Sequence, residues 1–231
     1  GNVLFNFRMF LVHQDAKYLD VAEVSLLNNV LAAVNLEGNR FFYVNPLEAD
    51  GKYPFNHGTA GRAPWFGTAC CPSNMARLLP QVQGMTYAHN EENLYLAMYA
   101  DTSTSLKIAG TDLAINQTTD YPNDGRIKIS LNPKKPSSFK VHLRIPTWAG
   151  KQFVPGKLYK YLNQKKESWS LTVNGSKTQA TVEKGFAIIE RKWKKGDQII
   201  LDLPMPLRIN QCDKRVEENH NRLAFTRGPF V

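Results

Sequence analysis

The spacing of apolar residues changes once along this chain, near Asn90, and that change limits the fold more than any other feature. Before it, Val3, Leu4, Phe7, Phe10 and Leu11 recur at intervals of three and four. Tyr18, Val21, Ala22, Val24, Leu27, Val30 and Leu31 repeat the pattern after His13 to Ala16. Only a helix brings such positions onto one face, so two antiparallel helices joined by a short turn are expected. Asp15 is placed to cap the second, and Gly38 follows its expected end. A third helix is expected from Pro72 or Ser73, carrying Met75, Leu78, Leu79 and Val82, with a kink or early end at Pro80. After Asn90 the interval is two. Leu94, Leu96 and Met98, then Ile127, Ile129 and Leu131, then Phe139, Val141, Leu143 and Ile145 alternate with polar or aromatic partners. Trp169, Leu171 and Val173 lead into the turn pair Asn174-Gly175, and Phe186–Glu190 and Gln198–Leu203 complete the set. Lys195-Gly-Asp197 is expected to be a hairpin turn between those last two strands. The fold class is therefore α+β, with helices through residue 90 and an antiparallel β-sandwich over 91–231.

Between the second and third helices, Arg40–Asn45 reads as extended and is stopped by Pro46. The segment Glu48–Thr68, rich in Gly, Pro, Asn and aromatics, far exceeds the usual connection of about four to six residues. Ordered loops of that length tend to carry function. The helices are apolar around much of their circumference, and Leu223–Val231 reads as a strand without a polar tail. Both features lead us to expect an internal piece of a longer protein.

Composition narrows the classes. A chain of 231 residues that is 42% hydrophobic and 21% charged can bury a core and is not biased toward disorder. No run approaches the roughly 18 apolar residues a membrane helix needs. Three cysteines, two of them adjacent, make no disulfide framework. The net charge of +9 lies entirely in the second part, with six basic and six acidic side chains through Asn90 and 23 and 14 after it. The basic residues alternate with apolar ones, as in Arg126-Ile-Lys-Ile-Ser-Leu131, which is the pattern of a wet sheet face. With no nucleic-acid-reading motif beside it, nucleic acid is not an expected partner.

The sharpest motif is Trp65-Phe-Gly-Thr-Ala-Cys-Cys-Pro-Ser-Asn74. Two cysteines just ahead of a helix put their sulfurs near its positive end, where thiolates are favoured and serve as nucleophiles or metal ligands. The plain alternative is a pair of small buried hydrophobes. Zinc would need four ligands. The chain offers two sulfurs here, with Cys212 far away in the sandwich, and Glu48 and His57 are near in sequence without a ligand spacing.

Together with Phe41-Phe-Tyr-Val-Asn-Pro-Leu-Glu48 and Arg227-Gly-Pro-Phe230, this motif resembles glycoside hydrolase family 127 and the closely related family 146. These are the β-L-arabinofuranosidases once grouped as a domain of unknown function. The resemblance implies a retaining hydrolase with an (α/α)6 barrel followed by β-sandwich domains. Residues 1–90 would then be the last helices of that barrel, and 91–231 a sandwich domain cut short at its C-terminus. It also implies a zinc ion held by a Glu and three cysteines, two of them adjacent. Cys70 matches the nucleophile, and Cys70 and Cys71 match metal ligands. The remaining Glu and Cys would fall in a Glu-Thr-Cys segment immediately ahead of Gly1, and the acid/base Glu further ahead. Tyr43 and Glu48 would contact the sugar. Trp65 and Phe66 would stack on it or fix the loop, and His57 would line the pocket or sit in a surface loop. Retention needs a nucleophile about 5 Å from an acid/base carboxyl, and a metal-ionised thiol can fill that place.

The expected partner is an arabinose-containing oligosaccharide or glycan, without nucleic acid or membrane, and a homodimer is compatible. Zinc is expected in the full-length protein and weakly or not at all in this chain, which alone should be inactive. Periplasm and cytoplasm of a bacterium fit equally. The competing reading is a non-catalytic carbohydrate-binding sandwich with structural cysteines. Trp148, Trp169 and Trp193 are expected in the sandwich core or over its sheet, and Cys212 as a free thiol.

Overall fold

The computed structural model describes residues 1–68, 70–163 and 168–231. Helix α1 spans Asn2–His13 and ends where Gln14 turns left-handed (φ 52°), its N–H reaching the Phe10 carbonyl at 2.7 Å. Helix α2, Ala16–Ser25, starts where the Asp15 carboxylate accepts from the Lys17 N–H at 3.0 Å, as its position in the sequence implied. The same rod continues as a π-turn over Leu26–Val30 and a 3-10 turn over Leu31–Ala33. Helix α3, Cys70–Val82, begins two or three residues before the expected start at Pro72 or Ser73, so both cysteines lie in its first turn. Pro72 is tolerated there because first-turn N–H groups have no intrahelical partner. Pro80 neither ends the helix nor stands in its middle: in the last turn it removes one bond, to the carbonyl of Ala76.

The strands form three sheets. One has the order β1 (Tyr87–His89), β2 (Asn93–Leu96), β6 (Ser137–Arg144), β11 (Phe186–Trp193), β10 (Thr181–Glu183). The second runs β3 (Thr102–Ile108), β4 (Thr111–Thr118), β5 (Arg126–Pro133), β12 (Asp197–Asp202), β8 (Ser170–Val173), β9 (Ser176–Lys177). The third is β14 (Leu223–Arg227), β13 (Leu207–Cys212), β7 (Tyr159–Tyr161). Asn174 and Gly175 do turn β8 into β9, both with positive φ (52° and 80°).

Three expectations need correction. Lys195-Gly-Asp197 is not a hairpin: β11 and β12 belong to different sheets, and the turn carries the chain between layers, with Asp197 accepting from the Lys194 N–H at 2.9 Å. The pairing is not all antiparallel, since β2 and β6 run parallel. Parallel neighbours need a long crossover, and here β3, β4 and β5 of the facing sheet supply it. Arg40–Asn45 is not a strand. Only Phe41 bridges, to Val34 and Ala63.

The two larger sheets bury Ile115, Ile127, Ile129, Leu143, Trp148, Trp193 and Ile199 between them, with Trp169 packed against this core. The helices dock on the outer side of the five-stranded sheet through Phe10, Leu19, Tyr95 and Phe186, and on α3 through Val3, Ala22, Leu78 and Met85. The approach is close: Ala16 donates its N–H to the Lys184 carbonyl at 2.9 Å. A Cβ on Gly185 (φ +78°) would lie 2.7 Å from that of Ala16, so only glycine fits there. No helix among the described residues is long and apolar enough to cross a membrane.

His142 lies on the same seam, stacked on Tyr95 at 4.2 Å, its Nε2 2.8 Å from the Asn93 side-chain oxygen. Burial, and then the charge of Lys140, push its pKa down to about 4. A histidine neutral in the fold and ordinary when unfolded gives stability that is complete above pH ~6.5 and lost as pH falls toward 4. We expect a loss of roughly 3 kcal/mol across that window. Urea titrations at several pH values will show it, and His142→Gln should flatten that part of the curve.

Candidate active site

The long loop before α3 has little regular structure, and a buried amide organises it. Asn56 is fully buried. Its Oδ1 accepts from the N–H groups of Tyr43 (2.8 Å) and Val44 (3.2 Å), and its Nδ2 donates to the Gly61 carbonyl at 2.8 Å. Arg62 ties the same loop to the 3-10 turn Leu31–Ala33, donating to the Ala32 and Ala33 carbonyls at 2.6 and 3.3 Å and covering the Phe42 ring at 4.5 Å. Nothing in the spacing announced Asn56 as the anchor, although Asn is a common residue for holding turns through its side chain. Asn56→Ala would orphan two N–H groups at a cost of about 1–3 kcal/mol. Faster hydrogen exchange at Tyr43 and Val44 should report it.

With Tyr43 so held, its ring meets His57 edge-on at 4.3 Å and Phe66 at 5.6 Å, and Phe66 also meets Phe41 at 5.2 Å. The Tyr43 hydroxyl lies 3.2 Å from Cys70 Sγ. The two cysteine sulfurs are 3.7 Å apart, and Cys71 Sγ is 3.9 Å from the Tyr43 carbonyl oxygen. Cys70 is exposed and Cys71 half-buried. At the helix start, the Cys70 carbonyl accepts from Ser73 Oγ (3.0 Å) and Asn74 Nδ2 (2.8 Å).

The environment splits the two thiols. The hydrogen bond with Tyr43, and then that with Cys71, lower the Cys70 pKa. Burial, followed by the neighbouring sulfur, raises that of Cys71. The Tyr43 phenol is raised by its bond to Cys70. Cys70 therefore ionises first, with the phenol O–H donating to its sulfur. An exposed thiolate at a helix N-terminus is a nucleophile.

The pair also suits a soft metal. Zinc–sulfur bonds of about 2.3 Å in a tetrahedron set two sulfurs about 3.8 Å apart, close to the 3.7 Å found. Among the described residues no group of three or more His, Cys, Asp and Glu side chains comes together, so Cys70 and Cys71 would supply at most two of the four ligands a zinc ion needs.

Of the residues singled out from the sequence, Cys70, Cys71, Tyr43, His57 and Phe66 converge. Glu48 does not join them, because both terminal nitrogens of Arg222 hold its carboxylate at 3.2 Å. Trp65 is 63% exposed. Cys212 is a half-buried free thiol in the three-stranded sheet, paired in register with Tyr159.

Helices that present a dithiol and an aromatic loop, docked on β-sheets, make this an α+β protein. The model of the β-L-arabinofuranosidase GH127 catalytic domain matches residues 1–84, and that of the GH127 middle domain matches residues 93–205. The chain belongs to glycoside hydrolase family 127. It is 28% identical, over 99% of its length, to a non-reducing end β-L-arabinofuranosidase of Bifidobacterium longum subsp. longum, covering 33% of that protein. Among solved structures it is similar to a GH127 β-arabinofuranosidase (40% identity, TM-score 0.92, 99% of this chain and 35% of the other). It is also similar to a GH127 β-L-arabinofuranosidase from Geobacillus stearothermophilus T6 (32%, TM-score 0.85, 99% and 34%). The chain spans about a third of the length of these relatives.

Proposed function

We propose that this chain is part of a retaining glycoside hydrolase that releases L-arabinofuranose from plant-type glycans, with Cys70 as its nucleophile. The observation that carries the proposal is the exposed Cys70 sulfur at the start of α3, in hydrogen-bond reach of Tyr43 and beside a second sulfur. In the first step the thiolate forms a bond to the anomeric carbon while the glycosidic C–O bond breaks, and the departing oxygen takes a proton from an acid/base carboxyl. That carboxyl would come from the larger part of the protein that the relatives possess. In the second step water attacks the same carbon with proton transfer to that carboxylate, the S–C bond breaks, and the sugar leaves with its configuration retained. Once Cys70 is ionised, the Tyr43 hydroxyl, 3.2 Å from its sulfur, donates to the thiolate and helps to hold it in place. Cys70 and Cys71 would hold a zinc ion together with a Glu and a Cys from outside this chain. When bound, the metal keeps the thiols ionised at neutral pH.

The test is a protein that carries this chain together with the preceding segment. It should contain one zinc per molecule by elemental analysis and release L-arabinose from a β-L-arabinofuranoside, whereas this chain alone should release none. A zinc-loaded long protein without hydrolysis would favour the binding-module reading.

A further inference from the structure

Beyond that reading, we propose that the cavity beside the edge strand β7 of the three-stranded sheet binds an acidic, uronate-bearing glycan. The cavity, half open to solvent, has a volume of about 510 Å³ between β7, the end of β13 and the loop that follows it, within the range of small-ligand sites. Three lysines line it, Lys157, Lys160 and Lys214, together with Arg222. Among the described residues none of the three lysines has an ion-pair partner. The carboxylate in the lining, Asp213, is already matched: Arg215 holds it at 2.8 Å, and its pKa is pulled down to about 2. With Arg222 paired to Glu48, the three lysines keep the excess of positive charge that a ligand could neutralise.

The remaining walls suit a sugar. Tyr159, 39% exposed, offers a ring face for stacking. The Asn219 and Asn221 amides can both donate to and accept from hydroxyl groups. The walls are formed in advance. The His220 ring is fastened to the Lys214 carbonyl at 2.7 Å, and the Asp213 N–H to the Leu158 carbonyl at 2.7 Å. A platform, amides and ammonium groups in one concave site select a carboxylated saccharide. A nucleic acid duplex needs an extended basic stripe rather than a compact, half-open cavity. Arg222, on the rim, also holds Glu48, so the cavity borders the loop that presents Tyr43. The proposal does not depend on Cys70 being a nucleophile.

Calorimetry on the whole chain tests this with a galacturonic acid oligomer of four residues, a neutral galactose oligomer of equal length, and a short DNA duplex. The acidic oligomer should bind, with the neutral one about tenfold or more weaker. The double variant Lys160→Glu, Lys214→Glu should lose about tenfold, while Lys128→Glu on the exposed face of β5 should change little. Tyr159→Ala should weaken binding with the charges intact. The proposal fails if the neutral oligomer binds as tightly, if Lys128→Glu weakens binding as much as the double variant, or if duplex DNA displaces the oligomer at equal charge concentration. The substituted side chains are exposed, and matching circular dichroism will show that each variant is folded.

Discussion

Cys70→Ser, made in a longer protein that carries this chain behind a preceding segment, is expected to lower turnover of a β-L-arabinofuranoside by about 10⁴-fold or more. A serine at the start of α3 keeps the size and the reach to Tyr43, but its hydroxyl is not ionised at neutral pH and has no base beside it among the described contacts. The loss should fall on kcat with little change in KM, because the groups that would contact the sugar remain. Cys71→Ser should behave differently. That sulfur is half-buried with a raised pKa, so its replacement should act through metal content. In the chain as it stands, iodoacetamide should alkylate Cys70 faster than Cys71, with peptide mass spectrometry as the readout. Retention of turnover within tenfold in Cys70→Ser would remove the nucleophile assignment, whatever the metal content.

The second large effect is structural. Arg144→Met should destabilise the chain by about 3–5 kcal/mol. Arg144, at the end of β6, is fully buried and lies between two carboxylates of α2. It donates to Asp20 at 2.8 Å and to both oxygens of Glu23, one of them at 3.2 Å. Tyr121 and Trp148 donate to Glu23 at 2.7 and 3.3 Å, and Thr147 donates its N–H to Asp20 at 3.1 Å. The network fixes α2 to the sandwich. Methionine fills the volume but leaves two buried carboxylates without a counter-charge, which is why breaking such a group costs more than the whole group contributes.

The pH dependence distinguishes this from a packing defect. Burial already raises the Asp20 pKa, with Arg144 opposing it. Without Arg144 the Asp20 carboxyl rises further and takes up a proton more readily folded than unfolded. The variant therefore recovers stability as pH falls toward the unfolded carboxyl range. The deficit from wild type should be smaller at pH 5 than at pH 7 in urea unfolding; an equal deficit would mean a cavity rather than an orphaned charge.

The parts of this structure that were legible in the sequence are those governed by near neighbours. The three-and-four spacing through Leu31 gives the helices, the Asp15 cap follows from its place before Ala16, and alternation along β4 and β5 gives strands with one buried face. Asn174-Gly175 dictates its turn because both positions need positive φ, which these two residues adopt at low cost. The adjacent sulfurs also declare themselves, since whatever starts a helix beside them acts on both.

What the tertiary structure alone decided lies between residues far apart in the chain. A turn sequence such as Lys195-Gly-Asp197 fixes a reversal of direction but not which sheet receives the next strand, because that depends on which apolar face is still uncovered. Tyr43 reaches Cys70 because a buried amide 13 positions along holds its backbone, and Arg144 meets α2 across more than 120 residues. Periodicity reports which side of an element is buried. It carries no information about the partner, which is selected by shape and charge only once the layers have assembled.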